Sequence, residues 1–461
     1  MSTTAEDAAT GFRWGRPGTG WETLTGDQQR QLVECGVRHW HDVHDPVPTY
    51  NDRWRPLRPV ILTEAQWAAL HQLSDRVAEL ILRACQRRAG TAGELRAALG
   101  VPEGRVRLLD EAEPLGPELL ISSRPDIFFT GGVPKFVEFN IDGALGGAFD
   151  SDNLAFAFAA SYATDGLDIA VGIRPPASAV DGRLATIAEW LAAADPDDRA
   201  VAMVMDWSVG HAGPADQREF LRYLDPVAER AKLAGFELIP YWLDWLAADD
   251  RQRLLVDGRP IRNVARMFVP DTAPPSAGLT AVEELVRAGR VRCFTSSATW
   301  LLSNKLVLAW LWQDLPVLAP ADRELVRAHI PRTSLLTPEL VADAVAGQRE
   351  LVLKPHDGSS GRDVLIGRDE DPARWRAALD QALAAGGFLL QELVGSDLLP
   401  MHFLDIHTGE VVSHGVPCCF GPYLFGRRQC GGEVRMGFPG GGAIMNVDRG
   451  ALVDGFALVE G

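Results

Sequence analysis

The sequence predicts an α/β (α+β) protein of several lobes, and three observations carry that expectation. Apolar runs alternate with helical stretches between 183 and 269, two strands flank Gly131-Gly132, and a strand, a Gly-rich loop and a second strand follow one another around 356–361. With 461 residues, 46% of them hydrophobic, the chain can bury a sizeable core and suits about three lobes of ordinary size. That composition excludes disordered and collagen-like classes.

The elements follow in chain order. Thr63-Glu-Ala-Gln66 is a capping box, and Trp67, Leu70, Leu73, Val77, Leu80, Ile81 and Ala84 recur at helical spacing, which predicts a helix over 64–88. Residues 119–140 change to strand period around the glycine pair. A small-residue stretch with two prolines, 172–182, marks a lobe boundary. Next come a helix over 183–193, a strand over 200–207, a helix over 215–234 and a strand over 236–243, an order that suits a parallel or mixed sheet. Residues 254–269 read as two strands about an Asp257-Gly258 turn. The remaining elements are a helix over 299–313, strands over 351–355, 363–367 and 388–394, and a helix over 371–385. The Gly- and Arg-rich end of the chain carries no clear pattern. The divisions expected are 1–171, 172–290, 291–395 and 396–461.

Charge narrows the partners. The 45 Lys and Arg against 62 Asp and Glu leave a net charge of −17, and no basic stripe is visible. Nucleic acid and anionic membrane surfaces are therefore excluded as main partners. No run reaches the length of a membrane span, Met1 to Gly20 lacks an apolar core, and the six cysteines show no CxxC spacing, so a reduced, cytoplasmic chain is expected. His39, His41 and His44 read as a solvated or capping segment rather than a metal site. Only four lysines occur, Lys135, Lys232, Lys305 and Lys354, in a chain that otherwise uses arginine.

Two of those lysines stand at special places. In LVLKPHDGSSGRDVLIG, Lys354 precedes a loop with Gly358, Ser359, Ser360 and Gly361, whose backbone N–H groups suit a polyphosphate. Lys305 is embedded in WLLSNKLVLAWLW, apolar on nearly every side, and a buried ammonium needs an anion. The strand FLLQELV then brings Gln391, Glu392 and Leu393, whose backbone could meet an adenine edge between apolar walls.

Upstream, Arg124-Pro-Asp126 and Glu138-Phe-Asn140 each place two polar side chains on one strand face. A connection with an odd number of residues would set Asp126 opposite Glu138 and Arg124 opposite Asn140. Facing carboxylates call for a cation such as Mg²⁺ with ATP phosphates, and Arg124 beside them could stabilise a transferring phosphoryl group. A two-residue Gly131-Gly132 turn would put the carboxylates on opposite faces.

This order of pieces resembles the ATP-grasp ligase superfamily. The R-x-D, E-x-N spacing upstream of the lysines resembles its circularly permuted branch, typified by the synthetase part of glutathionylspermidine synthase. The resemblance implies an ATP-grasp fold, circularly permuted, with two lobes gripping ATP and an additional α/β lobe. It implies that Lys305 and Lys354 hold ATP phosphates, that Gly358, Ser359, Ser360 and Gly361 cover them, that 391–393 holds adenine, and that Asp126, Glu138 and Asn140 bind Mg²⁺ with Arg124 on the transferred phosphate. After Asn140 the sequence departs from the branch, with Ile141-Asp142 followed by Gly-Ala-Leu-Gly-Gly, so a different acceptor pocket near Asp142 is expected.

The implied activity is an ATP- and Mg²⁺-dependent carboxylate–amine ligase working through an acyl phosphate, on a small-molecule carboxylate and amine. Apart from the resemblance, Arg435 in the tail reads either as a bidentate grip on a carboxylate or as surface charge. Arg427 and Arg428 are better read as surface charge. A phosphotransferase and an inactive nucleotide-binding scaffold are the alternative readings. A homodimer is the oligomeric form left open.

Overall fold

The computed structural model describes residues 5–6, 13–15, 18–42, 51–206, 214–358, 361–441, 445 and 450–460. Its centre is a seven-stranded sheet assembled from both ends of the chain. The 15-residue strand Val411–Phe425 pairs antiparallel with Leu398–Asp405, Arg428–Met436 and Ser122–Thr130. Trp54–Pro56 and Leu452–Asp454 extend the two sides, and Val133–Ile141 completes a hairpin with Ser122–Thr130. Residues beyond 396, which carry no clear pattern in the sequence, therefore build most of the sheet on which the candidate site rests.

Against this sheet packs the long helix Glu64–Gln86. Thr63 caps it as a capping box, its Oγ1 accepting from the Gln66 N–H at 3.1 Å, and Trp67, Leu70, Leu73, Val77, Leu80 and Ile81 face the core. The periodicity gives this helix to within two residues at its end.

A second sheet is fully parallel, in the order Arg292–Phe294, Asn263–Met267, Ala200–Met205, Glu237–Trp242. Its strands bury apolar side chains on both faces, as expected of a parallel sheet, with Asn263 and Arg266 as buried polar exceptions. The Asp257-Gly258 turn lies between short strands Leu254–Val256 and Arg259–Ile261, with both turn residues at positive φ. A third, four-stranded sheet (Thr333–Leu335, Phe388–Glu392, Leu351–Pro355, Leu365–Ile366) forms a small lobe with a core of its own, including Leu353, Trp375, Leu379 and Leu390.

Several expected elements differ in detail. The helix expected over 299–313 is two helices, Ala298–Leu302 and Leu306–Gln313, because the Asn304 side chain accepts from the Leu306 N–H at 2.9 Å and restarts the helix. The helix expected over 215–234 likewise divides into Pro214–Tyr223 and Asp225–Leu233, with Pro226 near the start of the second. Part of the stretch 172–182 is built into other elements: Ile173–Arg174 pairs with the strand Phe456–Val459, and Ser178 caps the helix Ala179–Ala194, which starts four residues earlier than expected. The strand expected over 363–367 shortens to Leu365–Ile366, and Pro117–Leu120 is a 3₁₀ turn rather than strand. No described helix is long and apolar enough to cross a membrane.

Candidate active site

The hairpin turn is the two-residue kind. Gly131 and Gly132 have φ of 58° and 80°, a left-handed pair that only glycine adopts without cost. In an unbroken ladder that turn would set Asp126 against Val137 and leave Glu138 on the far face. A β-bulge corrects the register: Ile127 pairs with Phe136 and Asp126 with Glu138, leaving Val137 unpaired. The odd-loop condition is thus wrong and the facing is nevertheless achieved, with Arg124 opposite Asn140 as well. Asp397 holds the turn by accepting from the Gly131 and Gly132 N–H groups at 2.9 and 2.7 Å.

These strands and the small lobe enclose a cavity of about 660 Å³. Arg124, Asp126, Glu138, Asn140, Lys305, Lys354, Gly358, Gly361, Gln391, Glu392, Leu393 and Arg435 all line it, so residues from five separate stretches meet there. Ser359 and Ser360 lie outside the described residues.

The two lysines converge on the hairpin. Lys305, buried at the start of its helix, lies 2.9 Å from Glu138 Oε1 and donates to the Gly358 carbonyl. Its backbone N–H donates to the His356 carbonyl, which ties this helix to the Gly-rich loop. Lys354 donates to the carbonyl of the bulge residue Val137 at 3.0 Å and to Gln391 Oε1 at 2.8 Å. Among the described residues no carboxylate is paired with it, and burial pushes its ammonium down to about 7, against the pull of Glu138.

Opposite the lysines sits a cluster of two arginines and two acids. Arg124 Nη1 is 2.6 Å from Glu433 Oε2, and Arg435 Nη2 is 2.5 Å from Asp126 Oδ1. The charges are close but poorly aligned: Arg124 Nε, Asp126 Oδ1 and Glu433 Oε2 are all buried without a hydrogen bond. Burial raises the Asp126 carboxyl, yet Arg435 and Arg124 outweigh it and hold the group below its ordinary range. Gly421 leaves room for this packing, since a Cβ there would fall 2.9 Å from Arg124 Cδ.

The donor set suits a nucleotide with a hard cation. Asp126, Glu138 and Asn140 offer oxygens only, the ligand type Mg²⁺ takes, while phosphates and water would complete its shell. Among the described residues no group of three or more His, Cys, Asp or Glu could hold a metal by itself. The depressed Lys354 and the misaligned arginines mark a place short of an anion.

Some expected residues have other work. The Gln391 side chain holds Lys354 and donates to Thr333 Oγ1 rather than facing the cavity freely. The Leu393 N–H is taken by the Glu350 carbonyl, and the Glu392 N–H by the Arg332 carbonyl, so neither donor is open to an adenine edge in this arrangement. Asp142 is not a free carboxylate: buried Arg266 grips it bidentately at 3.0 and 2.7 Å, and Thr299 Oγ1 and the Ala144 N–H also donate to it. It joins the central sheet to the parallel sheet. Arg427 pairs with Asp75 and Glu79, and Arg428 with Glu189, as expected of surface charge. His39 bonds Ser161 and stacks on Phe158, and the side chains of His41 and His44 lie outside the described residues.

Sequence reasoning missed the part Glu433 plays. It lies more than 300 positions from Arg124 in no recognisable motif, and only the pairing of Arg428–Met436 with Val411–Phe425 brings it there. Cys419, also lining the cavity, was missed for the same reason, whereas Arg362 and Arg368 were passed over although they stand in and directly after the LVLKPHDGSSGRDVLIG segment.

No protein-family model matches the sequence, and no curated protein does either. Among solved structures, a glutathione synthetase-like effector from Globodera pallida matches with a TM-score of 0.52 at 11% identity, over 94% of this chain and 97% of its own. D-alanyl-alanine synthetase A from Vibrio cholerae matches at 0.27 and 12% identity over 48% of this chain and 67% of its own. An ATP-grasp ligase complexed with a minimal precursor matches at 0.28 and 15%, over 56% of this chain and 89% of its own. The first of these is a likeness of whole folds, and the other two are partial. The chain shares the fold of this glutathione synthetase-like effector.

Proposed function

We propose that the protein is an ATP- and Mg²⁺-dependent, ADP-forming carboxylate–amine ligase of the circularly permuted kind, acting on a small carboxylate and a small amine. The observation that carries this reading is the convergence of Arg124, Arg435, Lys305 and Lys354 with Asp126, Glu138 and Asn140 on one cavity. Mg-ATP, when bound, supplies the phosphoryl group that converts the acid to an acyl phosphate, from which the amine displaces phosphate to leave an amide, ADP and phosphate.

The chain's own residues position and neutralise, which is most of what such a reaction asks of a protein. Lys354 and Lys305 hold phosphate oxygens, and each gains an anion in exchange for the contacts it makes now. Asp126, Glu138 and Asn140 hold the metal. Arg124 and Arg435, fixed by Glu433 and Asp126, present guanidinium donors to the transferring group and the substrate carboxylate. A covalent acyl-enzyme is disfavoured at Cys419, the thiol lining the cavity, because burial pushes it up to about 12 and leaves no thiolate at neutral pH.

The test is ADP release against pools of amino acids, small acids and amines, with product analysis. An amide with free phosphate supports the ligase, and a stable phosphorylated product would replace it with a phosphotransferase. The Mg-ATP thermal shift should vanish in Lys354→Ala and Glu138→Ala; a wild-type response in both would overturn the site.

A further inference from the structure

A second cavity, of about 120 Å³, adjoins the first and shares Glu138, Asn140, Lys305 and Gly358 with it. Its remaining wall includes Asp142, Asp271, Trp300 and Asp357. The acids are unevenly matched. Glu138 is met by Lys305 and Asp142 by Arg266. Asp357 is met by Arg105 at 2.6 Å, while the same guanidinium stays 3.6 Å from Asp271, beyond hydrogen-bond reach.

Asp271 is therefore left short of positive charge. Its side chain is only 5% exposed, and its Oδ1 is buried with no hydrogen-bond partner. A buried carboxylate this short of donors is costly, and the Asp271 side chain is part of the cavity wall, where a cationic donor can approach it. The cavity has room for a group of a few heavy atoms, judged against about 30 Å³ for a water molecule. Trp300 supplies an aromatic wall of the kind that receives an ammonium. A metal ion is the poorer occupant, since no three of the described acids are placed to hold one.

We propose that this cavity binds the primary ammonium end of the amine substrate, with Asp271 as the residue that recognises it, Asp357 as its neighbour and Trp300 as the cation-facing wall. The proposal rests on the ligase reading for the word substrate, while the recognition of an ammonium group rests on the cavity alone. The position is chemically apt: the occupant would sit across Glu138 and Lys305 from the space assigned to the phosphates.

The probe is ethylammonium, with ethanol as its uncharged counterpart, followed by ligand-observed saturation-transfer NMR on the full chain with the β,γ-imido analogue of ATP and Mg²⁺. Ethylammonium should show a signal at least fivefold above ethanol, and Asp271→Asn should weaken it at least tenfold while keeping the wild-type nucleotide thermal shift. Equal signals from the two probes, or equal ethylammonium binding by wild type and Asp271→Asn, would overturn the proposal. If Asp271→Asn does not fold, Asp357→Asn carries the test: weakened ethylammonium binding with a retained nucleotide shift supports the proposal, and unchanged binding overturns it. Loss of the nucleotide shift in wild type would sink the ligase reading and leave the ammonium result to be judged separately. A nucleotide shift without ethylammonium binding would sink only this inference.

Discussion

Two buried groups of arginine and carboxylate lie on either side of residue 140, and they are built in opposite ways. Arg266 and Asp142 form a finished pair: two charge-assisted bonds between them, further donors to the acid from Thr299 and Ala144, and the Phe268 carbonyl on the guanidinium. Arg124, Arg435, Asp126 and Glu433 are as close in space, yet three of their polar atoms lack any hydrogen bond. A satisfied buried pair holds a fold together, whereas an unsatisfied one facing a cavity keeps bonding capacity in reserve for a ligand.

The sharpest way to break this contrast is Arg266→Ala. Removing one partner of a satisfied buried pair leaves Asp142 uncompensated, and a loss of roughly 3–5 kcal/mol in unfolding free energy is expected by urea denaturation. A loss under about 1 kcal/mol would show that the pair is dispensable to the fold.

Lys354→Met should act in the other direction. Apo stability should hold or rise, since the ammonium is buried without a carboxylate partner, while nucleotide affinity should fall about 10- to 100-fold in a calorimetric titration, the worth of about 1.5–3 kcal/mol of charged hydrogen bonding. The pH dependence has a definite sign. Lys354 loses its proton near about 7 in the folded chain and near about 10.4 when unfolded, so between those values the unfolded state binds more protons. Its contribution to stability therefore rises with pH through that window, and the penalty is complete below 7. Urea midpoints between pH 7 and 10 should climb more steeply for wild type than for Lys354→Met, and parallel curves would refute the depressed value.

Smaller effects should follow from the contacts that frame the site. Asp397→Ala removes two acceptors from the glycine turn and should cost about 1–2 kcal/mol, read as a fall in Tm. Arg427→Ala, at an exposed pair, should change stability by no more than about 1 kcal/mol and leave nucleotide binding alone. A large effect there would move this arginine out of the surface class.

What was legible in the sequence is what local chemistry determines. Thr63 and Gln66 announce their helix because capping is a matter of four residues, and Arg124, Asp126, Glu138 and Asn140 announce a polar strand face because strands alternate every two. Lys305 stood out because an ammonium amid leucines and tryptophans demands a partner, and Glu138 is that partner here. The bulge at Val137 was not legible, since nothing in its side chain marks it; its carbonyl, taken up by Lys354, gives it a use. Glu433 and Asp271 were hidden by distance along the chain, as each acquires its meaning only from strands and loops that the fold brings near. Asp142 was singled out as part of an acceptor pocket expected after Asn140, but its partner Arg266 lies 124 positions away and was not visible from it.

Lys354 carries one more consequence, in chemical reactivity. An amine whose proton is held this weakly is partly neutral near pH 7, and on the ligase reading proposed above it stands in the cavity where an activated acyl group would be generated. Phosphates arriving beside it would restore its proton before any acyl phosphate could form. The lysine would then be a cation at the moment when a free amine would be a hazard, and occupancy of the nucleotide site would protect the protein from acylating itself.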